Sequence, residues 1–211
     1  MKRAIIFIDA NNWYHNVKNL IKPSSIDIKK ISDLITKEKN LSILEIRWYG
    51  SIPDVNDNPL IYAKQRAFLS GLEKQGIKVI TRKLQKLSSK EIKKKRQQFI
   101  EDWQLCEICK ALVESSFLDM ADNFQKEKGI DVWIAIDMVK ESIKEKIDCA
   151  VLISGDADFV PAFNLIKEVK KDVLSCFIPN GYSNELRQKF PYMLLSREML
   201  NKCLRDFKKE R

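Results

Sequence analysis

The chain has 211 residues, 45% hydrophobic and 32% charged, which is enough to bury one substantial core and too apolar for a disordered chain. Its net charge of +9, from 38 Lys and Arg against 29 Asp and Glu, suits a polyanionic partner without demanding one. Five scattered cysteines argue against a disulfide scaffold, no stretch reaches membrane-spanning length, and the apolar run after Arg3 stops at Asp9, too early for an export signal. A cytoplasmic protein with reduced thiols is the expectation.

Residues 3–8 form a short, continuous apolar run, the pattern of a strand buried on both faces. It stops at Asp9-Ala10-Asn11-Asn12, and residues 13–21 continue as a helix until Pro23. A second helix is expected at about 28–39, a strand at 43–49, a loop from Gly50 to Pro59, a helix at about 60–75 and a third strand at 77–81. The alternation then breaks. Residues 82–96 hold eight basic residues and one acid, Glu91, and a helical pattern runs on to about Lys128. Gly129 marks the return, followed by a helix over 130–143, a strand over 148–153, a helix over 159–170, a strand over 173–178 and a short helix near 184–190. The tail, 196–211, reads as a basic amphipathic helix with Leu200, Leu204 and Phe207 on one side. Strands alternating with helices predict an α/β three-layer sandwich around a parallel sheet of about five strands, with a helical insertion at 82–128 between the third and fourth.

Asp9 ends the first strand and Asp156 the fourth. In a doubly wound sheet those two strand ends flank the switch-point crevice, where ligands bind. Ser154-Gly155-Asp156-Ala157-Asp158 adds a second carboxylate two residues on, with Asp158 placed to cap the following helix. Asp131 falls in the first turn of the preceding helix, whose N-terminus favours negative charge. Carboxylates brought close repel unless a cation or proton lies between them. With one histidine, His15, in the chain, hard oxygen ligands point to Mg²⁺ or Mn²⁺ and to phosphoryl chemistry.

Three segments in the same order carry a family resemblance: Phe7-Ile8-Asp9-Ala10-Asn11-Asn12, Lys128-Gly129-Ile130-Asp131-Val132 with Asp137 following, and Ser154 to Pro161. Together they resemble the NYN domain, its LabA-like branch in particular, within the PIN-like nuclease superfamily. The resemblance implies a Rossmann-like domain over 1–195 with strand order 3-2-1-4-5. It also implies metal-dependent RNA cleavage, with endonucleolytic cuts leaving 5′-phosphates. By motif, Asp9, Asp131, Asp156 and Asp158 would hold the metal, supported by Asn12, Asp137 and Ser154. Asp137 sits about 120° round its helix from Asp131, so a buried structural hydrogen bond suits it at least as well as a metal. Ser183-Asn184-Glu185-Leu186-Arg187 resembles a late family motif, but Lys189-Phe190-Pro191 stands where an Asp would be expected.

The basic run supplies candidate contacts to RNA phosphates at Arg82, Lys83, Lys93, Lys94, Lys95 and Arg96. Cys106-Glu107-Ile108-Cys109 has metal-ligand spacing but no partner pair, and the two thiols fit an apolar helix face better. Trp48, Trp103 and Trp133 are expected in the core. The insertion and the tail are candidate surfaces for a homodimer or a larger RNA-processing assembly. A non-cleaving RNA-binding scaffold is the alternative function. A haloacid-dehalogenase-like phosphatase is weaker, because Asn11 stands where its second Asp would be needed.

Overall fold

The computed structural model describes residues 1–86, 89–119, 125–126, 129–179 and 181–205. They form two compact units, one of Met1–Arg82 with Gly129–Arg211 and one of Lys83–Lys128. In the first, six parallel strands make one sheet: β1 (Lys2–Asp9), β2 (Leu41–Ile52), β3 (Lys78–Lys83), then, past the second unit, β6 (Cys149–Ile153), β7 (Asp172–Phe177) and β8 (Tyr192–Leu194). Their spatial order is β3-β2-β1-β6-β7-β8, so β1 is the point where the winding reverses. The five expected strands keep the expected order. The sixth, β8, takes the far edge and pairs Ser175 with Tyr192 through Phe177 with Leu194.

Alternation along β1 sorts the core into two layers. Ala4, Ile6 and Ile8 pack on one face with Trp13 and Val17 of α1 (Ala10–Val17), Ile28, Ile31 and Ile35 of α2 (Ile28–Lys39), and Leu69 and Leu72 of α3 (Pro59–Lys74). Ile5 and Phe7 pack on the other with Ile130, Ile134 and Met138 of α6 (Ile130–Ile143), Phe163 and Ile166 of α7 (Val160–Glu168) and Leu186 of α8 (Asn184–Lys189). Asp9 continues the odd-numbered series, so its side chain emerges on the α6–α7 face. The boundaries follow local chemistry. Asp27 caps α2 by accepting the N–H groups of Lys29 and Lys30, and Asn40 stops it in the left-handed conformation at φ 51°. The first helix begins at Ala10 rather than Trp13 because Asp9 itself supplies the cap.

The second unit holds α4 (Ser89–Asp102), α5 (Glu107–Asp119) and a two-residue antiparallel pairing of β4 (Gln85–Lys86) with β5 (Gln125–Lys126). The helices pack on one another, Ile100 is buried, and the Phe99 and Trp103 rings lie 4.9 Å apart. Trp103 and Trp133 are exposed, against the expectation of core positions, while Trp48 is buried.

Among the described residues, the expected C-terminal helix over 196–211 is helical as α9 (Arg197–Lys202), and 206–211 lie outside them. Asp27 donates its N–H to the Cys203 carbonyl, Lys30 donates to that of Leu204, and Leu204 bridges Ile26. These partners draw the chain out extended, and Phe207 lies outside the described residues. Among the described residues, no helix is long and apolar enough to cross a membrane.

Candidate active site at the strand ends

β1 and β6 run side by side with Ile8 opposite Ile153, which sets Asp9 beside Ser154 just past the last paired residues. Asp9 is only 3% exposed. A carboxylate so buried is costly unless hydrogen bonds replace its water. Its Oδ1 accepts the backbone N–H groups of Asn11 and Asn12, both at 3.1 Å, and its Oδ2 accepts the Ser154 hydroxyl at 3.1 Å. The same Ser154 Oγ accepts the Asp156 N–H at 3.3 Å, and the Ser154 carbonyl accepts the Ser175 hydroxyl at 2.9 Å. One serine thus ties three strands and both strand-end acids together.

Asn12 makes a second tie. Its Oδ1 accepts the Gly155 N–H at 3.3 Å and the Asn16 side-chain amide at 3.0 Å. Asn16 also donates to the Asn12 carbonyl at 2.9 Å. Gly155 leaves no space for a side chain, because a Cβ there would collide with Gly181 and Tyr182. Ser183 donates its N–H to the Gly155 carbonyl at 2.8 Å. The loops after β1, β6 and β7 are therefore locked into one another. Asn16 and this glycine packing were not anticipated, since no spacing rule marks a helical Asn one turn beyond a motif.

The remaining acids take three different places. Asp156 is half-buried, and its Oδ1 accepts the Asp158 N–H at 3.1 Å. It is Asp156, not Asp158, that caps the chain here. After β6 the backbone first winds a 3-10 turn over Ala157–Phe159, which moves the cap position back two residues, and α7 starts with no side-chain cap. Asp158 lies exposed in that turn. Asp131, half-buried, sits in the first turn of α6. Ile130 beside it belongs to the same core layer as Phe7, Tyr49 and Phe159, which sets this helix start at the carboxyl end of the sheet. Gly129 precedes it at φ 76°, a conformation glycine adopts without strain, and the Arg82 guanidinium packs against it. Among the described residues, no three Asp, Glu, His or Cys side chains gather closely enough to hold a metal ion between them.

Asp137 belongs to a different cluster. It accepts the Tyr49 hydroxyl at 2.7 Å and lies 3.5 Å from Arg47. Arg47, 4% exposed, also reaches Glu45 at 2.7 Å and Glu141 at 3.2 Å, with its guanidinium over the Phe7 ring. Burial disfavours the charged arginine, yet its bonds to Glu45 and Tyr49 outweigh that and hold it more firmly protonated than usual. Burial, with the bond to Asp137, pushes the Tyr49 hydroxyl far above the ordinary phenol range. Sequence reading missed this cluster because the alternation of β2 marks Arg47 only as one polar residue in a strand.

Of the expected RNA contacts, Arg82 belongs to the first unit and Lys83, Lys93, Lys94, Lys95 and Arg96 to the second, where Lys94 and Lys95 on α4 are exposed. His15 is exposed on α1, with the Lys18 ammonium 3.2 Å from its Nδ1.

Compared with known families, residues 3–196 match the one described as NYN domain. No curated protein matches the chain.

Proposed function

Because the chain belongs to the NYN-domain family, part of the PIN-like nuclease superfamily, we propose that it is a metal-dependent ribonuclease acting at the ends of β1 and β6. The observation that carries this reading is Asp9, a buried carboxylate at the winding reversal, held by Asn11, Asn12 and Ser154 and linked through Ser154 to Asp156.

The donor set is oxygen from carboxylates, an amide and a hydroxyl, which fits Mg²⁺ or Mn²⁺ better than zinc. Asp9 and Asp156 would hold the ion, with Asp131 and Asp158 completing the acidic rim. When bound, such an ion neutralises phosphate oxygens and acidifies an attacking water. The chain's own residues set the stage for that step. Ser154 fixes the Asp9 carboxylate in one orientation, Asn12 fixes the loop that carries Asp156, and Gly155 lets that loop pack closely against Gly181 and Tyr182.

The basic run would meet the RNA backbone, where cations offset the repulsion between phosphates and carboxylates without reading sequence. Reversing the charge at Lys93, Lys94 and Lys95 should weaken RNA binding and flatten its salt dependence by about 0.7 in slope for each phosphate no longer neutralised. Unchanged affinity would remove α4 from the substrate path.

One observation favours a second reading. The acids do not gather three together among the described residues, which suits an RNA-binding protein that does not cut. A mixed RNA pool incubated with Mn²⁺ and either wild type or Asp156→Asn separates the two. The nuclease reading expects cleavage by wild type that is lost on chelation and falls about 100-fold or more in the variant. Binding without cleavage by either protein would establish the scaffold instead.

A further inference from the structure

The five cysteines divide into two populations. Cys149, Cys176 and Cys203 are buried in the first unit, at 4%, 0% and 2% exposure. Burial pushes all three thiols upward, Cys149 to about 12, so at neutral pH they are inert apolar side chains. Cys106 and Cys109, in the second unit, are both exposed. They lie on an exposed stretch of helix with Ile108 and Leu112.

Their setting is specific. The α5 helix runs from Glu107, and Lys110 donates its N–H to the Cys106 carbonyl at 2.8 Å, so Cys106 holds the N-cap position and Cys109 is the third helical residue. An N-cap side chain accepts the N–H groups of the second and third helical residues. Cys106 stands at that position with Cys109 three residues on, and the neighbouring Cys109 and Ile108 groups hold the Cys106 thiol below the ordinary cysteine value. Residues three apart on a helix have Cα atoms about 5 Å apart, inside the range a disulfide spans. The same spacing with two more ligands would suit zinc, but among the described residues no third ligand joins this pair.

We propose that Cys106 and Cys109 form a redox-active dithiol that closes reversibly to an intramolecular disulfide, with a low-molecular-weight disulfide such as oxidised glutathione as its oxidant. The Cys106 thiolate attacks one sulfur of the oxidant, whose S–S bond breaks and releases one thiolate. Cys109 then loses its proton and attacks the Cys106 sulfur, expelling the second thiolate, and protonation of the leaving groups closes the balance. Two protein thiols become one disulfide, while one small disulfide becomes two thiols. The roles are assigned by position. Helix N–H groups stabilise charge on Cys106, and hydrogen bonds from Cys109 and Ile108 hold its thiol below the ordinary cysteine value, so it is the attacking residue and Cys109 the resolving one.

The test uses the full chain, reduced and then equilibrated against graded ratios of reduced to oxidised glutathione, acid-quenched, unfolded and alkylated. The proposal expects two of the five thiols to become protected together, with the chain lighter by two hydrogen atoms and the peptides of Cys106 and Cys109 joined. Cys109→Ser should instead accumulate a glutathione adduct at Cys106, and Cys106→Ser should lose most of the oxidation rate. Five alkylated thiols at every ratio would overturn the proposal. So would a disulfide joining two chains, or protection that persists in the double serine variant.

Discussion

Two polar clusters lie under the same layer of helices, one strand apart, and they are built on opposite principles. Tyr49 of β2 is the register partner of Asp9 of β1. Around Tyr49, Arg47 is met by Glu45, Asp137 and Glu141, so opposite charges satisfy one another inside the fold. Around Asp9, the orienting donors include two backbone N–H groups and a serine hydroxyl, which hold its carboxyl group in place. The first arrangement fastens α6 to β2. The second keeps the Asp9 carboxyl group in one orientation at the rim of the sheet. Both clusters hold a carboxylate inside the fold, Asp137 through a phenol and a guanidinium and Asp9 through amides and a hydroxyl.

Arg47→Ala probes the structural side and should have the largest effect. It takes the shared guanidinium from Asp137 and Glu141, leaving Lys146 beside Glu141, a loss of about 3–5 kcal/mol in urea unfolding. A loss under 1 kcal/mol would mean that the cluster does not fasten α6. The same cluster should give stability an acid edge. Burial raises the carboxyls of Glu45 and Glu141, but Arg47 and nearby lysines outweigh it and hold both below the ordinary glutamate range. With folded values depressed, their contribution is complete above the unfolded value near 4.5 and is lost as pH falls through the folded values. Urea midpoints measured from pH 7 downward should therefore fall more steeply in wild type than in Arg47→Ala. Parallel curves would break the assignment.

Ser154→Ala probes the other side. It removes the donor to Asp9 Oδ2 and the acceptor for the Asp156 N–H, and should lower RNA cleavage by about 10–100-fold, since partners that orient a metal-holding carboxylate typically matter to that extent. Full activity would show that Asp9 needs no such support. The smallest change is expected from Tyr49→Phe. It costs one hydrogen bond to Asp137, which keeps Arg47 beside it, so a loss of about 1 kcal/mol should come with cleavage near wild type. A drop in cleavage as large as that of Ser154→Ala would erase the distinction between the clusters.

Most of the frame could be read from the chain because its signals are local. The apolar run 3–8, the 28–39 stripe with Asp27 ahead of it, and the 130–143 helix after Gly129 each announce themselves within a dozen residues. Asp9 and Asp156 were legible because strand ends at a winding reversal are where such a sheet can bring distant residues together, while Asn12 and Ser154 were marked through the family resemblance. What escaped notice was short or non-local. Tyr192–Leu194 is a three-residue edge strand with no room for alternation to show. The 3-10 turn at Ala157–Phe159 shifts the cap by two residues, less than patterns resolve. Arg47 finds its partners on β2 and α6, some ninety positions apart in the chain, a pairing that no spacing rule encodes.

In the proposed nuclease, Asp9 carries a negative charge able to bind a divalent ion at the strand ends. The most direct test of that role is a Mn²⁺ titration followed by electron paramagnetic resonance, on wild type and on Asp9→Asn, with urea unfolding to show that both are folded. Wild type should bind saturably, and the variant at least about tenfold more weakly. Equal binding by the two proteins, or none by wild type, would contradict it.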